Sequence, residues 1–268
     1  MIRGRDCFRS SGQPATSRRE MLSVTGLKVV EEFVRSSRQT LSEVCFLRES
    51  KRGAAKSLLE TARGKGINIR ELSAADMRAV HEGKIKNGIV GRLEHFHYAD
   101  MDELIENRAG NVLFVMLDRV YDPHNVGAIA RSAHCFGADA IIFQEKRAGV
   151  ITAAAIHASA GALAHLPVVK AVNLSKTAEY LKEKRGFWVY GTSTDKTGID
   201  LETLDPPDNL LIIFGSEGEG IRKKLLEKCD FTLTVALPAA FDSLNVSVAA
   251  GIILYALNKK YLHRRERK

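Results

Sequence analysis

Three separated stretches of this chain combine hydrogen-bonding or chargeable side chains with glycine beyond what packing alone requires. The first is DRVYDPHNVGAIARSAHCFGAD, residues 118–139. Asp122-Pro123 makes a turn, Asn125 suits a helix N-cap, and Val126, Ile129, Ala130 and Ala133 form a stripe at helical spacing. Arg131 falls off that stripe, one turn after Gly127, and helical side chains lean toward the helix N-terminus. It would therefore reach back over Gly127 toward the preceding strand end, as an anion clamp or a proton-handling group. Otherwise it is a solvated helix arginine. The second stretch, LLIIFGSEGEG at 210–220, runs an apolar strand into Gly215, Gly218 and Gly220, with Ser216 and Glu217 between them. Such glycines permit unusual dihedrals and a close ligand approach, or simply make a loop; Glu217 at the tip points to function. The third, LPAAFDSLNVSVAAGIILYALNKK at 237–260, places Ser243, Asn245 and Ser247 before a helical repeat of Val246, Ala249, Ala250, Ile253, Leu254 and Leu257. One of the three polar residues must cap that helix, and three exceed what capping needs.

The elements that would carry these residues follow from apolar periodicity. From Val112 onward, strand-length apolar runs recur at Val112–Leu117, Ala140–Phe143, Leu166–Val169, Phe187–Tyr190, Leu210–Phe214 and Phe231–Val235, with helical patterns between most of them. Continuous apolar strands separated by helices predict a parallel α/β sheet covered on both faces. In such a sheet ligands gather outside the carboxyl ends of the strands, where the first two stretches begin. Residues 21–97 read as a smaller α/β unit. Its helix is expected after Thr25 as N-cap, with strands at Glu43–Leu47, Ile67–Arg70 and Gly88–Leu93 and helices at Ala54–Arg63 and Ala74–Val80. Residues 98–110 read as a charged linker with a short helix, and 111–268 as the second domain. Residues 1–20, with five arginines and little apolar content, read as a basic disordered arm and lack the apolar core of a secretory signal.

Together DPHNVGAIAR, FGSEGEG and SLNVSVAAGIILY resemble, in order and spacing, the three motifs of the SpoU/TrmH family of RNA 2′-O-methyltransferases. SAGALAHLPV (159–168) is similar to a further family segment. Residues 21–97, with IKNGIVGRL (85–93) as the best-matching stretch, resemble the small substrate-binding domain of a branch that includes methylation of a guanosine ribose in 23S ribosomal RNA, and the basic arm before Met21 has no family counterpart. The resemblance implies the SPOUT fold with its trefoil knot, an exception to the rule that chains stay un-knotted. It also implies a homodimer with interfacial active sites and S-adenosylmethionine as methyl donor. It places Gly215, Val235 and Leu244 at the donor, with Thr192 and Leu237 beside them, and makes Asn125, Arg131, Glu217, Ser243 and Asn245 the reacting set. A guanidinium rarely yields its proton, so Arg131 is expected to stabilise charge and position phosphate, oriented by Asn125 and Glu217, while Asn245 holds the third loop. Lys51, Arg52, Lys56, Arg63 and Lys65 are the expected RNA face, or an ordinary solvated helix surface.

Composition agrees with a polyanionic partner. Forty Lys+Arg stand against 32 Asp+Glu, a formal net charge of +8. No apolar run approaches the roughly 18 residues of a membrane span. Four dispersed cysteines fit a reducing cytoplasm rather than a disulfide framework. His95 and His97 lack acidic or thiol company, and no metal is expected. A nucleotide-dependent dehydrogenase would need a glycine turn after the first long strand, where DRVYDPHN stands instead. A non-catalytic RNA-binding protein would not need Asn125, Arg131 and Glu217 together, and within the family a transfer-RNA or antibiotic-resistance methyltransferase is the other reading.

Overall fold

The computed structural model describes residues 21–48, 52–108, 110–145, 151–194, 198–237 and 243–266. Among them, apolar alternation builds a first sheet from β1 (Leu22–Thr25), β2 (Glu43–Leu47), β3 (Asn68–Leu72) and β4 (Ile89–Leu93), in the order β1-β4-β2-β3. Helices α1 (Leu27–Arg35), α2 (Arg52–Gly64) and α3 (Ala74–Val80) connect these strands. Val29, Val30, Phe33 and Val34 give α1 its buried stripe. Its N-cap is Gly26, at φ 97°, and not the expected Thr25. The Thr25 hydroxyl is committed elsewhere: it donates to the Ile89 carbonyl at 2.9 Å and accepts from the Lys86 amide at 2.8 Å. Glu43, buried in β2, is neutralised across the strands by Arg70 at 3.3 Å and Arg92 at 2.5 Å.

The expected linker carries helix α4 (Met101–Glu106), capped by Asp100, and it does not hang free. Met101 is buried, Asp102 accepts from Tyr180 and Arg185 at 2.8 Å each, and Lys170 lies over the Tyr98 ring at 3.6 Å.

The larger sheet follows. Its elements are β5 (Val112–Asp118), α5 (Pro123–Cys135), β6 (Ala140–Gln144), α6 (Ala153–Ala158), a 3₁₀ turn at Ala162–Ala164, β7 (Val168–Ala171), α7 (Leu174–Arg185) and β8 (Trp188–Thr192). The chain continues through β9 (Ile199–Asp200), β10 (Asn209–Gly215), α8 (Lys223–Leu226), β11 (Phe231–Thr234) and α9 (Val246–Glu266). Strand order is β7-β6-β5-β10-β8-β11-β9, and every pairing is parallel. Leu113, Val115, Leu210, Ile212 and Phe214 pack toward α5 and α9, while Phe114, Met116, Leu211 and Ile213 pack toward α4 and α7. Burial on both faces is what removes the polar half of the alternation in these strands. Because β5 leads outward through β6 to β7 on one side and β10 joins it from the other, the order reverses between β5 and β10. That is where a parallel sheet opens a crevice at its carboxyl edge.

Candidate active site

Four strands end side by side at this edge. Gly215 of β10 is in register with Asp118 of β5, Ile213 of β10 with Gly191 of β8, and Thr192 of β8 with Leu233 of β11. From Gly215 the chain makes a tight loop closed by the reciprocal Ser216–Gly220 backbone bonds, at 3.2 and 3.0 Å. Gly218 (φ 84°) and Gly220 (φ 62°) adopt the left-handed turn that other residues resist. Gly215 is glycine for another reason than ligand approach: a Cβ there would overlap the Gly220 carbonyl carbon.

Two charged pairs that the sequence reading passed over brace this loop. Asp118, fully buried, accepts from the backbone amide and the Nε of Arg222, both at 2.8 Å. Arg222 also reaches Gln144 of β6 at 3.2 Å. The neighbouring Arg119 sits at φ 61°, unusual for a non-glycine residue, and its guanidinium binds Glu219 and, at 3.2 Å, the Gly220 carbonyl. A signal existed in the sequence: an Asp-Arg pair ends one strand and a Glu and an Arg flank the glycines after its neighbour, with opposite charges facing.

Above the loop, three remote motifs meet. Helix α5 is capped by Asp122, whose carboxylate accepts from the His124 amide, and not by Asn125 as expected. The Asn125 amide is thereby free to donate to Glu217 Oε1 at 3.1 Å. Asn245 donates to the same oxygen at 2.5 Å and to Asn125 Oδ1 at 3.1 Å. Its own Oδ1 caps α9, accepting from the Ser247 amide at 2.9 Å and the Ser247 hydroxyl at 2.6 Å. One amide thus serves as both helix cap and site ligand. Glu217 is exposed, and its second carboxylate oxygen has no partner among the described residues.

The structure does not bring Arg131 into this cluster. It is exposed on α5 with no hydrogen bond or ion pair to any described residue, and the Gly127 surface it was expected to overlie is pressed against α6, where a Cβ would overlap the Ala155 carbonyl. Ser243 is exposed beside Asn245. Of the expected donor residues, Thr192 ends β8 with its hydroxyl on the Ile213 carbonyl at 3.1 Å, and Val235, Leu237 and Leu244 are half-buried. On the expected RNA face, Lys51 lies outside the described residues and Arg52 begins α2. Lys56 and Arg63 are exposed, whereas Lys65 donates to the last carbonyls of α1, those of Arg35 and Ser36, at 3.1 and 3.0 Å. His95 and His97 meet edge to face at 4.3 Å, and no group of three metal-ligating side chains stands together among the described residues. Burial pushes the Cys45 thiol up to about 11 and Cys229 to about 12, which leaves both inert near neutral pH.

Comparison with known proteins accords with this geometry. Residues 112–255 match the SpoU rRNA methylase family, and residues 23–99 match the RNA 2′-O ribose methyltransferase substrate-binding family. The TrmH family protein YacO of Bacillus subtilis is 34% identical over 240 residues, covering 88% of this chain and 95% of that one. The 23S rRNA (guanosine-2′-O-)-methyltransferase RlmB of Pasteurella multocida is 31% identical over 243 residues, covering 90% and 98%. The SpoU methyltransferase AviRb from Streptomyces viridochromogenes, solved in complex with AdoMet, shares the fold at a TM-score of 0.74 and 23% identity over 91% of both chains.

Proposed function

This chain belongs to the SpoU rRNA methylase family of S-adenosylmethionine-dependent RNA 2′-O-methyltransferases, and we propose that its target is a guanosine ribose in 23S ribosomal RNA. The observation that carries the methyl-transfer reading is the meeting of Asn125, Glu217 and Asn245, from three motifs, above the crevice between β5 and β10, and the likeness to RlmB supports the substrate. The carboxyl edge fits the donor. Open space stands where Cβ atoms of Gly218 and Gly220 would be, so backbone groups there are approachable, and half-buried Val235, Leu237 and Leu244 offer apolar surface for a purine. Thr192 and Gly215 complete that lining.

S-adenosylmethionine supplies a sulfonium-bound methyl group to the ribose hydroxyl. The protein's part is alignment and charge. Glu217, held by two amide donors through one oxygen, would use its other oxygen as the acceptor for a ribose hydroxyl. Asn125 and Asn245 fix that carboxylate, and Ser243 stands at the rim. Arg131 keeps its proton and offers a guanidinium, without a partner among the described residues, to the RNA phosphate beside the reacting ribose. Changing Arg131 to Ala is expected to abolish methyl transfer while titrated donor binding stays within about twofold, as expected for a group acting on the transition state. Near-normal turnover would remove Arg131 from the mechanism.

The proposed assembly is a homodimer. Helix α9 buries Ala250, Ile253, Leu254 and Leu257, yet Val248, Ile252 and Tyr255 on its other side are 50%, 39% and 55% exposed. A second copy covering that stripe would sit next to the Asn245 cap and Arg131. Exposed Lys56 and Arg63 of α2 would grip RNA phosphates. Mapping ribose 2′-O-methyl positions in total RNA with and without the gene tests the function directly. Loss of one guanosine methyl in 23S RNA is expected, and an unchanged 23S map with a lost transfer-RNA methyl would reassign the substrate.

A further inference from the structure

The first sheet's α1 is fastened to the segment after α6, and that segment leans on α5, the helix whose first turn presents Asn125. At Ala160 and Gly161 the backbone turns left-handed, with φ 51° and 91°. The turn brings Gly161 so near α1 that a Cβ there would stand 2.8 Å from Glu32 Cβ. On one side of this contact the Ser36 hydroxyl donates to the Ala164 carbonyl at 2.6 Å. On the other, Glu32 pairs with His165 Nε2 at 2.9 Å, and the His165 ring stacks on His134, in the last turn of α5, with centroids 5.5 Å apart and planes 18° apart. Farther along, α6 and α5 touch backbone to backbone at Gly127, two residues beyond Asn125. Each step from α1 to α5 along this path is a close glycine contact, a hydrogen bond, an ion pair or a ring stack.

We infer that Glu32, Gly161 and His165 are positioning residues that transmit the placement of the RNA-gripping α1–β4 unit to Asn125 through α5. They touch neither donor nor ribose. The inference rests on the methyl-transfer reading above. It predicts that disturbing the contact lowers the rate of transfer rather than the affinity for either substrate, because a misplaced reacting group costs turnover.

The test exchanges the pair: Glu32→His, His165→Glu, and the double exchange, with the milder Glu32→Gln alongside in case a single exchange fails to fold. The full chain is assayed on a 23S RNA fragment for kcat and KM, and titrated with S-adenosylmethionine. Each single exchange is expected to lower kcat about tenfold, in line with the cost of small misplacements, with KM and donor Kd within about twofold. The double exchange restores the pair with its partners reversed and recovers kcat. Singles with wild-type kcat, a double no better than the singles, or a change confined to KM overturns the inference. A wild-type protein that binds the donor but methylates no RNA overturns the functional reading instead, so the two failures are told apart.

Discussion

The glycine loop at the end of β10 is held from below by one polar cluster and crowned by another, and the two obey opposite rules. Below, Asp118 is fully buried and its two carboxylate oxygens accept from a single arginine, which goes on to a third strand. Above, Glu217 is exposed, takes two amide donors on one oxygen and keeps the other uncommitted among the described residues. A buried carboxylate whose two oxygens are both hydrogen-bonded has little left to offer a substrate, and its removal leaves the Arg222 amide without its acceptor. An exposed carboxylate that neighbours hold in place contributes little to stability and can still receive a proton or a hydroxyl. Scaffold and reagent thus share one loop, with Glu217 five residues before Arg222, and differ in burial.

That contrast makes sharp predictions. Asp118→Ala leaves the Arg222 amide without its acceptor, while the half-exposed guanidinium can turn to water, and should cost about 1–3 kcal/mol, the range for an unpaired donor. In a chain of this size that lowers the thermal midpoint by roughly 5 °C. An unshifted melting curve would show that the brace is not structural. Glu217→Gln should leave stability within about 0.5 kcal/mol, as surface changes do. It should nonetheless lower kcat about a hundredfold, the scale of losing one preorganised polar group at a reacting centre. If the melting temperature falls instead and kcat holds, the two clusters have exchanged roles. A smaller pair of effects divides the basic helix. Lys65→Ala should cost about 1 kcal/mol of stability by uncapping the carboxyl end of α1. Lys56→Ala should cost almost none, and should reduce the salt slope of RNA binding by about one. Equal effects of both on RNA binding would return Lys65 to the gripping face.

The same contrast explains what the sequence could reveal. Fully buried parallel strands announce themselves as unbroken apolar runs, so the larger sheet was legible from Val112 onward, with edges off by one or two residues. The reacting cluster was legible as residue types, because asparagines and a glutamate at strand and helix ends have few packing excuses. Which residue capped α5 was not, since Asp122 and Asn125 both suit the task and only the three-dimensional position of Glu217 decides between them. Thr25 misled for a related reason: its hydroxyl is claimed by β4, some 60 residues away in sequence. The two-residue β9 and the four-residue β1 carry too little pattern to detect, and the left-handed Arg119 looks like any arginine until its φ is known.

Arg119 gives the smallest and most discriminating prediction. Its positive φ costs about 1 kcal/mol in a non-glycine residue, and its largely surface ion pair with Glu219 returns no more than that. Arg119→Gly should therefore leave the melting temperature within about 2 °C, because relief of strain offsets the lost pair. The loop would lose its grip on the Gly220 carbonyl while the Asp118–Arg222 brace remains. Since donor contacts are expected along this loop, titration with S-adenosylmethionine should show affinity reduced several-fold, as befits one hydrogen bond's worth of ordering. A destabilised protein with unaltered donor affinity would place Arg119 with the scaffold below, and an arginine held in a strained backbone merely to hold the fold would have to be explained by a neighbour other than Glu219.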